Sequence, residues 1–251
     1  MTRTPTPAPI GLPNPLPDLA PGSARRVAVP VALAVPFLFL VPPLGLALLA
    51  LGAFSAYFYR DPDRTPAGEG IVAPADGHVS VIREDGDRVR VGVFMSPVDV
   101  HVCRAPADGT VTRLDHRGAA HRPAFAKGSE RNERFEYALR AVDGEGDAST
   151  TADRAGDVDR TGAETTAARD GDPAADATAV VDGALIAGWF ARRITPYVSR
   201  GDRLDRGDRL GYIAFGSRAD VVLPPAYDPE SVRVSVGEAV RAGESVIARR
   251  E

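Results

Sequence analysis

The longest apolar segment of the chain runs from Val27 to Tyr59 and contains no charged side chain. About 20 consecutive apolar residues suffice to cross a bilayer, so this segment is long enough to enter one. Pro42 and Pro43 interrupt it near its middle, and a proline pair disrupts helical hydrogen bonding. The pattern therefore predicts two helical arms of about 15 residues each, folded as a membrane hairpin or re-entrant anchor.

Arginines flank the apolar segment on both sides, Arg25 and Arg26 before it and Arg60 and Arg64 after it. Because the positive-inside bias is similar at both ends, we expect both ends on the cytoplasmic side. The aromatic residues 57–59 are predicted to lie at the membrane interface. These features predict a protein at the cytoplasmic face of the cell membrane. A cleaved signal peptide is the alternative, but the apolar segment starts late and is too long for one.

Two other segments lack the large apolar residues of a packed core. Residues 1–26 are rich in Pro, Ala and Thr, which predicts a flexible tail. Residues 143–178 are dominated by Asp, Ala, Thr and Gly, which predicts a disordered insertion. The chain is thus divided into a tail, an anchor over residues 27–59, and a folded domain over residues 60–251 that carries the insertion.

Short alternating segments separated by glycine-containing turns dominate the folded domain. Val89–Phe94, for example, alternates between apolar and polar positions as a half-buried strand does. Strands are also predicted at Gly109–Leu114, Leu210–Phe215, Val232–Val236 and Ser245–Ala248. Because strands dominate and helices are few, we predict an α+β fold that is mainly β.

Polar side chains converge in the extended pattern of residues 95–106. In a strand through this stretch, Asp99, His101 and Cys103 would share one face. Asp76 lies at the tip of a predicted turn between two earlier extended segments. Taken alone, His101 fits either a hydrogen-bonded structural histidine or a catalytic base.

Gly216 and Ser217 lie between two apolar runs, which predicts a hydroxyl on a tight turn between strands. Glycine has no Cβ, so another group can approach its carbonyl closely. The carbonyl beside a serine hydroxyl is the one that an N-to-O acyl shift would attack. The pair by itself favours an ordinary β-turn.

Composition excludes several classes of function. The formal net charge of −4 gives no electrostatic support for a nucleic-acid partner. The single Cys103 cannot form an intrachain disulfide. Lys127 is the one lysine among 30 basic residues, so just one position could anchor pyridoxal phosphate or a lipoyl group. The four histidines show no familiar ligand spacing with the cysteine, so no metal site is predicted.

Several motifs occur in an order that resembles the phosphatidylserine decarboxylase family, especially its compact prokaryotic and archaeal branch. The resemblance covers most of residues 44–250 and excludes the tail and the insertion. The motifs are RDPDR at 60–64, APADG at 73–77, SPVDVH at 96–101, NER at 132–134, IAGWFARRI at 186–194 and FGSRADVVLP at 215–224. The resemblance implies a mainly β domain with a membrane-associated N-terminal segment.

The resemblance also implies a proenzyme that cleaves itself before a serine and converts that serine into a pyruvoyl group. Carried over to this chain, cleavage falls between Gly216 and Ser217, and Ser217 becomes the pyruvoyl cofactor. The base would be His101, oriented by Asp76. Arg218 would bind the phosphate or the carboxylate of the substrate, with an ordinary ion pair as the alternative.

The chain departs from the longer members of the family at one position. Those members have a second histidine three residues after the first, whereas this chain has Arg104 there. Arginine cannot act as a base, so His101 would serve both processing and proton transfer. His78 is the fallback for the base.

The implied activity is that of a carboxy-lyase that converts phosphatidylserine to phosphatidylethanolamine at a membrane. Archaetidylserine has the same reacting headgroup and is the alternative substrate. The implied partners are the membrane surface and its phospholipid, with two chains from one proenzyme assembled into a further oligomer. A noncatalytic membrane-anchored β scaffold is the alternative from another class, and it predicts one intact chain. A lipoyl-like carrier would need a lysine on a hairpin, and the C-terminal half has none.

Overall fold

The computed structural model describes residues 18–117, 133–141, 180–188, 194–213 and 217–250. These ranges form two helices, thirteen strands and a short 3₁₀ turn at Pro229–Ser231. The elements are α1 Ala24–Leu40, α2 Pro42–Phe58, β1 Ile71–Val72, β2 Gly77–Asp85, β3 Arg88–Phe94, β4 Val102–Arg104, β5 Gly109–Arg117, β6 Arg134–Arg140, β7 Val180–Ile186, β8 Ile194–Pro196, β9 Arg203–Leu204, β10 Arg209–Ile213, β11 Arg218–Val222, β12 Ala239–Val240 and β13 Val246–Ala248.

The two helices form the predicted hairpin, with Val41 as the only residue between them. α2 starts at Pro42, a position where the missing N–H of proline has no intrahelical partner to lose. A Cβ on Gly45 would lie 2.5 Å from the backbone nitrogen of Leu38, so glycine is what allows the helices to approach this closely near the hairpin tip. Within the described ranges, no helix is long and apolar enough to cross a membrane.

The hairpin exposes most of its apolar side chains. Among the described residues, the exposed large apolar side chains outside it are Val98 and Val236. Those on it are Val29, Val31, Leu33, Val35, Phe39, Leu40, Val41, Leu44, Leu46, Leu51, Phe54 and Tyr57. Exposed apolar surfaces of this extent are typical of interaction sites in proteins.

The remaining described residues build the predicted mainly β domain. Eight strands form one sheet in the order β12-β2-β3-β11-β7-β6-β5-β9, and two smaller sheets have the orders β4-β10-β8 and β1-β13. Every strand pairing in the described ranges is antiparallel. Buried Val, Leu, Ile and Ala side chains from all three sheets form the core.

Two predicted strands differ in the structure. Residues 95–106 do not form one continuous strand, because the chain turns at residues 97–99 and β4 begins only at Val102. The Asp99 carboxylate accepts hydrogen bonds from the N–H and the hydroxyl of Ser96, both at 2.7 Å, which stabilises the turn. Residues 232–236 form a single bridge, from Val232 to Ala248, instead of a strand.

Some sequence predictions concern residues outside the described ranges. Most of the predicted tail and the whole predicted insertion, residues 143–178, fall there. Gly216 does too, so Ser217 is the first described residue of its motif.

Candidate active site

Two chain segments bring His101 and Ser217 into one region of the molecule. The Met95 N–H donates a hydrogen bond to the Ser217 carbonyl at 2.9 Å. At the other end, the Ile213 N–H donates to the His101 carbonyl at 3.2 Å. Residues 95–101 are therefore bonded at both ends to the chain on either side of the predicted cleavage point.

Ser217 lies directly before β11, which pairs with β3 on one side and β7 on the other. It is fully buried, and its Oγ lies 3.8 Å from the thioether sulfur of Met95. A thioether is a weak acceptor, so this contact leaves the hydroxyl available for chemistry. The backbone of Ser217 is held by the hydrogen bond from Met95 and by the start of β11.

His101 is 1% exposed, and its Nδ1 lies 2.9 Å from the Asp99 carbonyl oxygen. Because a carbonyl can only accept, Nδ1 carries the proton and Nε2 is the unprotonated nitrogen of the neutral ring. Nε2 is buried and has no hydrogen-bond partner among the described residues. The Phe58 ring at the end of α2 packs against the imidazole, with 4.3 Å between the ring centroids.

Burial is the largest influence on the pKa of His101 and lowers it to about 4. The carbonyl and the charge of Asp99 oppose this change in pKa, and the positive charge of Arg60 adds to it. His101 is consequently neutral at pH 7, and Nε2 is free to accept a proton from a hydroxyl.

We expect the imidazole of His101 to remain neutral down to about pH 5. Burial lowers the pKa of the folded state below the unfolded value near 6.5, so the neutral ring stabilises the fold fully above pH 6.5. This stabilisation is lost as the pH falls from 6.5 towards 4 and corresponds to about 3 kcal/mol of unfolding free energy. NMR titration of the Ser217→Ala protein, which should stay uncleaved, measures the pKa directly. An imidazole of His101 that titrated near pH 6.5 would contradict this expectation.

Asp76 lies in the predicted turn, immediately before β2. The next residue, Gly77, has a φ of 136°, and a Cβ there would lie 2.1 Å from the Phe94 carbonyl oxygen, so only glycine fits. The Asp76 carboxylate accepts hydrogen bonds from Nη2 of Arg64 at 2.8 Å and from the Ala242 N–H at 2.8 Å. Burial raises the pKa of Asp76 and outweighs the opposing effect of both partners.

The structure thus gives Asp76 and His101 different partners. The expectation that Asp76 orients His101 is not met, because the Asp99 carbonyl holds Nδ1 and Nε2 has no partner among the described residues. The orienting role of this backbone carbonyl is a property of the turn at residues 97–99, which the alternating sequence pattern does not indicate. Phe58 does not lie at the membrane interface as its place in the aromatic triplet predicts, because its ring is 1% exposed and covers His101.

Arg218 forms an ion pair with the buried Asp220, with 3.0 Å between Nη2 and Oδ2. Arg90 contacts the same carboxylate at 3.2 Å. This pairing matches the alternative considered for Arg218 in the sequence. His78, the fallback base, is exposed on β2 and pairs through its backbone with Phe94.

Arg104 stands where longer family members have their second histidine, and it is buried. Its guanidinium donates to the Asp61 carboxylate at 2.6 Å and to the Gly207 carbonyl at 2.9 Å. Arg209 contacts the same Asp61 carboxylate, which is fully buried. Arg104 therefore ties the linker that follows the hairpin to the β domain.

Known proteins resemble this chain over most of its length. The sequence profile of the phosphatidylserine decarboxylase family matches residues 51–155 and 174–248. A Halobacterium salinarum protein, provisionally named an archaetidylserine decarboxylase proenzyme, is 48% identical over 91% of this chain and 97% of its own length. The phosphatidylserine decarboxylase proenzyme of Thermobifida fusca is 39% identical over 82% of this chain and 78% of its own length. The phosphatidylserine decarboxylase proenzyme of Streptomyces avermitilis is 38% identical over 91% of this chain and 81% of its own length.

No solved structure matches the chain. The profile nevertheless covers well over half of the sequence, and its two matched regions contain His101 and Ser217. The relatives are matched across both the hairpin and the β domain. These matches and the fold establish that the chain belongs to the phosphatidylserine decarboxylase family.

Proposed function

We propose that this chain is a proenzyme that cleaves itself before Ser217 and then decarboxylates a serine phospholipid. The observation that carries the proposal is a buried serine hydroxyl held in the same region as a buried neutral histidine. The Nε2 of that histidine has no partner among the described residues. Relatives that cover most of the chain are named as decarboxylase proenzymes, which supports the same chemistry.

In the processing step, Nε2 of His101 takes the proton of the Ser217 hydroxyl, and Oγ attacks the carbonyl of Gly216. The peptide becomes an ester, and β-elimination then breaks the bond between Cβ and Oγ, which releases residues 1–216 with a free carboxylate and leaves dehydroalanine at position 217. One water hydrolyses the dehydroalanine to the pyruvoyl group and ammonia. Burial of Ser217 excludes bulk water, which would otherwise hydrolyse the ester.

Ser217 fits a pyruvoyl precursor because its hydroxyl is buried and unobstructed by a strong hydrogen bond. The group formed from it supplies a carbonyl that binds the substrate amine and accepts electrons as carbon dioxide leaves. Nε2 of His101 would take the proton that the substrate ammonium gives up on binding and return it to the carbon that has lost its carboxylate.

The substrate we propose is a lipid with a phosphoserine headgroup. Phosphatidylserine is the first candidate, because the Thermobifida and Streptomyces relatives bear that name. Archaetidylserine is the second candidate, since the 48% identical Halobacterium relative is named for it. Assays with both lipids, matched in surface concentration, compare the two directly.

The test uses purified full-length protein and vesicles that contain a carboxyl-labelled serine phospholipid. We expect labelled carbon dioxide, an ethanolamine lipid product and two chains. The masses of the chains should sum to that of the intact chain plus one water and minus one ammonia. An intact, unmodified chain that released no carbon dioxide would favour the scaffold alternative instead.

We also propose that the hairpin anchors the protein to the membrane, and its tip offers a test. Phe39 and Leu40 are 84% and 76% exposed at the end of α1. Each charged side chain in a bilayer core costs about 3 kcal/mol. The double substitution Phe39→Asp and Leu40→Asp should therefore lower vesicle binding by at least about 100-fold, measured by co-sedimentation.

Val236→Asp is the matched control, because Val236 is 63% exposed but lies outside the hairpin. The control should bind vesicles like the wild type. Both proteins should still be cleaved, since the hairpin tip does not contact Ser217 or His101 in the structure. Deletion of residues 1–59 is a less clean test, because it also removes Phe58 from the side of His101. Full vesicle binding by the double variant would show that the tip is not embedded.

A further inference from the structure

Arg60 lies where the hairpin joins the β domain, two residues after the end of α2. Its Nη1 donates to the Tyr57 carbonyl and its Nη2 to the Val98 carbonyl, both at 2.7 Å. The guanidinium also stacks on the Tyr57 ring, 3.9 Å from the centroid. These contacts hold the guanidinium in a fixed orientation beside the turn that leads to His101.

Arg60 has no acidic partner among the residues that the structure describes. No carboxylate lies within ion-pair distance of it in the part of the chain that the structure describes. Both of its bonded partners are neutral carbonyl oxygens, and a guanidinium has five N–H donors. Further N–H groups are therefore available to an anion, and their forked geometry suits a phosphate.

The surroundings of Arg60 combine an apolar surface with the candidate base. Tyr57 and Val98, which flank Arg60, are 48% and 59% exposed and continue the apolar surface of the hairpin. On the other side, the positive charge of Arg60 is close enough to influence His101. If the hairpin lies in the bilayer, Arg60 is at its polar boundary, which is the depth of lipid phosphates.

Arg26 adds a second positive charge at the base of the hairpin. Its guanidinium stacks over the rings of Tyr59 and Tyr212, at 5.3 and 5.9 Å from their centroids. Arg218, by contrast, is paired with a buried carboxylate. The positive charges that an anionic headgroup would meet are therefore those of Arg60 and Arg26 at the base of the hairpin rather than that of Arg218.

We propose that Arg60 binds the phosphodiester of the lipid headgroup and so places the serine portion towards His101 and Ser217. This inference rests on the proposed function and names the residue that recognises the substrate phosphate. The membrane anchor and the headgroup site are then parts of one structural element.

The test measures binding without turnover, in the full-length Ser217→Ala protein, by calorimetry with glycerophospho-L-serine. Adding Arg60→Gln should weaken binding by about 10- to 100-fold, the range for loss of a hydrogen bond to a charged group. Arg60→Lys should bind the probe more tightly than Arg60→Gln but less tightly than the parent, because lysine keeps the positive charge but lacks the paired N–H donors of a guanidinium. In the otherwise wild-type chain, Arg60→Gln should raise KM for the lipid more than it lowers kcat.

Two variants separate this role from a structural one. Tyr57→Phe removes the 3.1 Å hydrogen bond from the Tyr57 hydroxyl to the same Val98 carbonyl but keeps the ring and the charge. Its affinity for the probe should stay within about threefold of the parent. Arg83→Gln removes an exposed arginine on β2 and should bind the probe unchanged.

Several results would overturn the inference while leaving the proposed function intact. In the first, the wild type is cleaved and active, but the Arg60→Gln variant binds glycerophospho-L-serine as tightly as the Arg83→Gln variant does. In the second, Tyr57→Phe weakens binding of the probe as much as Arg60→Gln does, which would assign the effect to the structure of the turn at residues 97–99. Inorganic phosphate binding as tightly as glycerophospho-L-serine would identify a site for free phosphate. Failure of the wild type to cleave or to release carbon dioxide would instead refute the proposed function.

Discussion

Ser217→Ala should leave one intact chain with no decarboxylase activity. The substitution removes the only oxygen that can attack the preceding carbonyl, so neither cleavage nor the keto group can form. The fold should be retained, since the lost hydroxyl contacts only the weak sulfur acceptor of Met95 at 3.8 Å. Intact-mass spectrometry of the denatured protein and labelled carbon dioxide release measure the two effects.

Ser80→Ala is the control for this experiment. Ser80 also carries a hydroxyl within the large sheet, and it donates to the Gly92 carbonyl at 3.1 Å. The control should be cleaved and active. In the wild type, the small chain should resist Edman degradation, because a keto group has replaced its amine. Carbon dioxide release by uncleaved Ser217→Ala would disprove the proposed origin of the cofactor.

His101→Ala should slow self-cleavage by about 10²- to 10⁴-fold, the usual contribution of a general base. The structure strengthens this expectation, because Nε2 of His101 is buried, neutral at pH 7 and without a partner among the described residues. The rate is measured as the fraction of intact chain over time after synthesis in a cell-free system. Thermal unfolding of the variant separates a loss of the base from a loss of the fold.

His78→Ala provides the matched comparison and tests the fallback base directly. Its side chain is exposed on β2, so the variant should be cleaved at the wild-type rate. Asp76→Asn should slow cleavage less than His101→Ala, because Asp76 contacts Arg64 and the Ala242 N–H rather than the imidazole. Normal cleavage of His101→Ala together with slow cleavage of His78→Ala would transfer the role of base to His78.

The elements that could be predicted from the sequence are those fixed by local patterns. An uncharged apolar run interrupted at Pro42 specifies two short helices, whether the run lies in a membrane or against the rest of the protein. Alternation over Val89–Phe94 likewise specifies β3, which the structure extends by one residue to Arg88. The continuous strand over residues 95–106 failed because Asp99 bonds to Ser96 and turns the chain, although the apolar alternation continues on both sides.

Some partners of the site residues could not be predicted, because they come from distant parts of the chain. Asp76 meets Ala242, 166 residues away, only when β12 pairs with β2. Phe58 was assigned to the membrane from its place in an aromatic triplet, and only the packing of α2 on the β domain brings it to His101. Local patterns single out the Gly-Ser motif and His101, and the resemblance to a known family is what assigns catalytic roles to them.

The buried pair of Asp61 and Arg104 limits how this sequence can change over time. Removing one partner of a buried ion pair costs about 3–5 kcal/mol, which is a large part of the 5–15 kcal/mol that stabilises a typical domain. A mutation of Arg104 to histidine would add a second imidazole but would leave the fully buried Asp61 with Arg209 alone. Loss of Asp61 first would instead leave the buried Arg104 without its carboxylate, so a change at either position alone is costly and the two positions are epistatic.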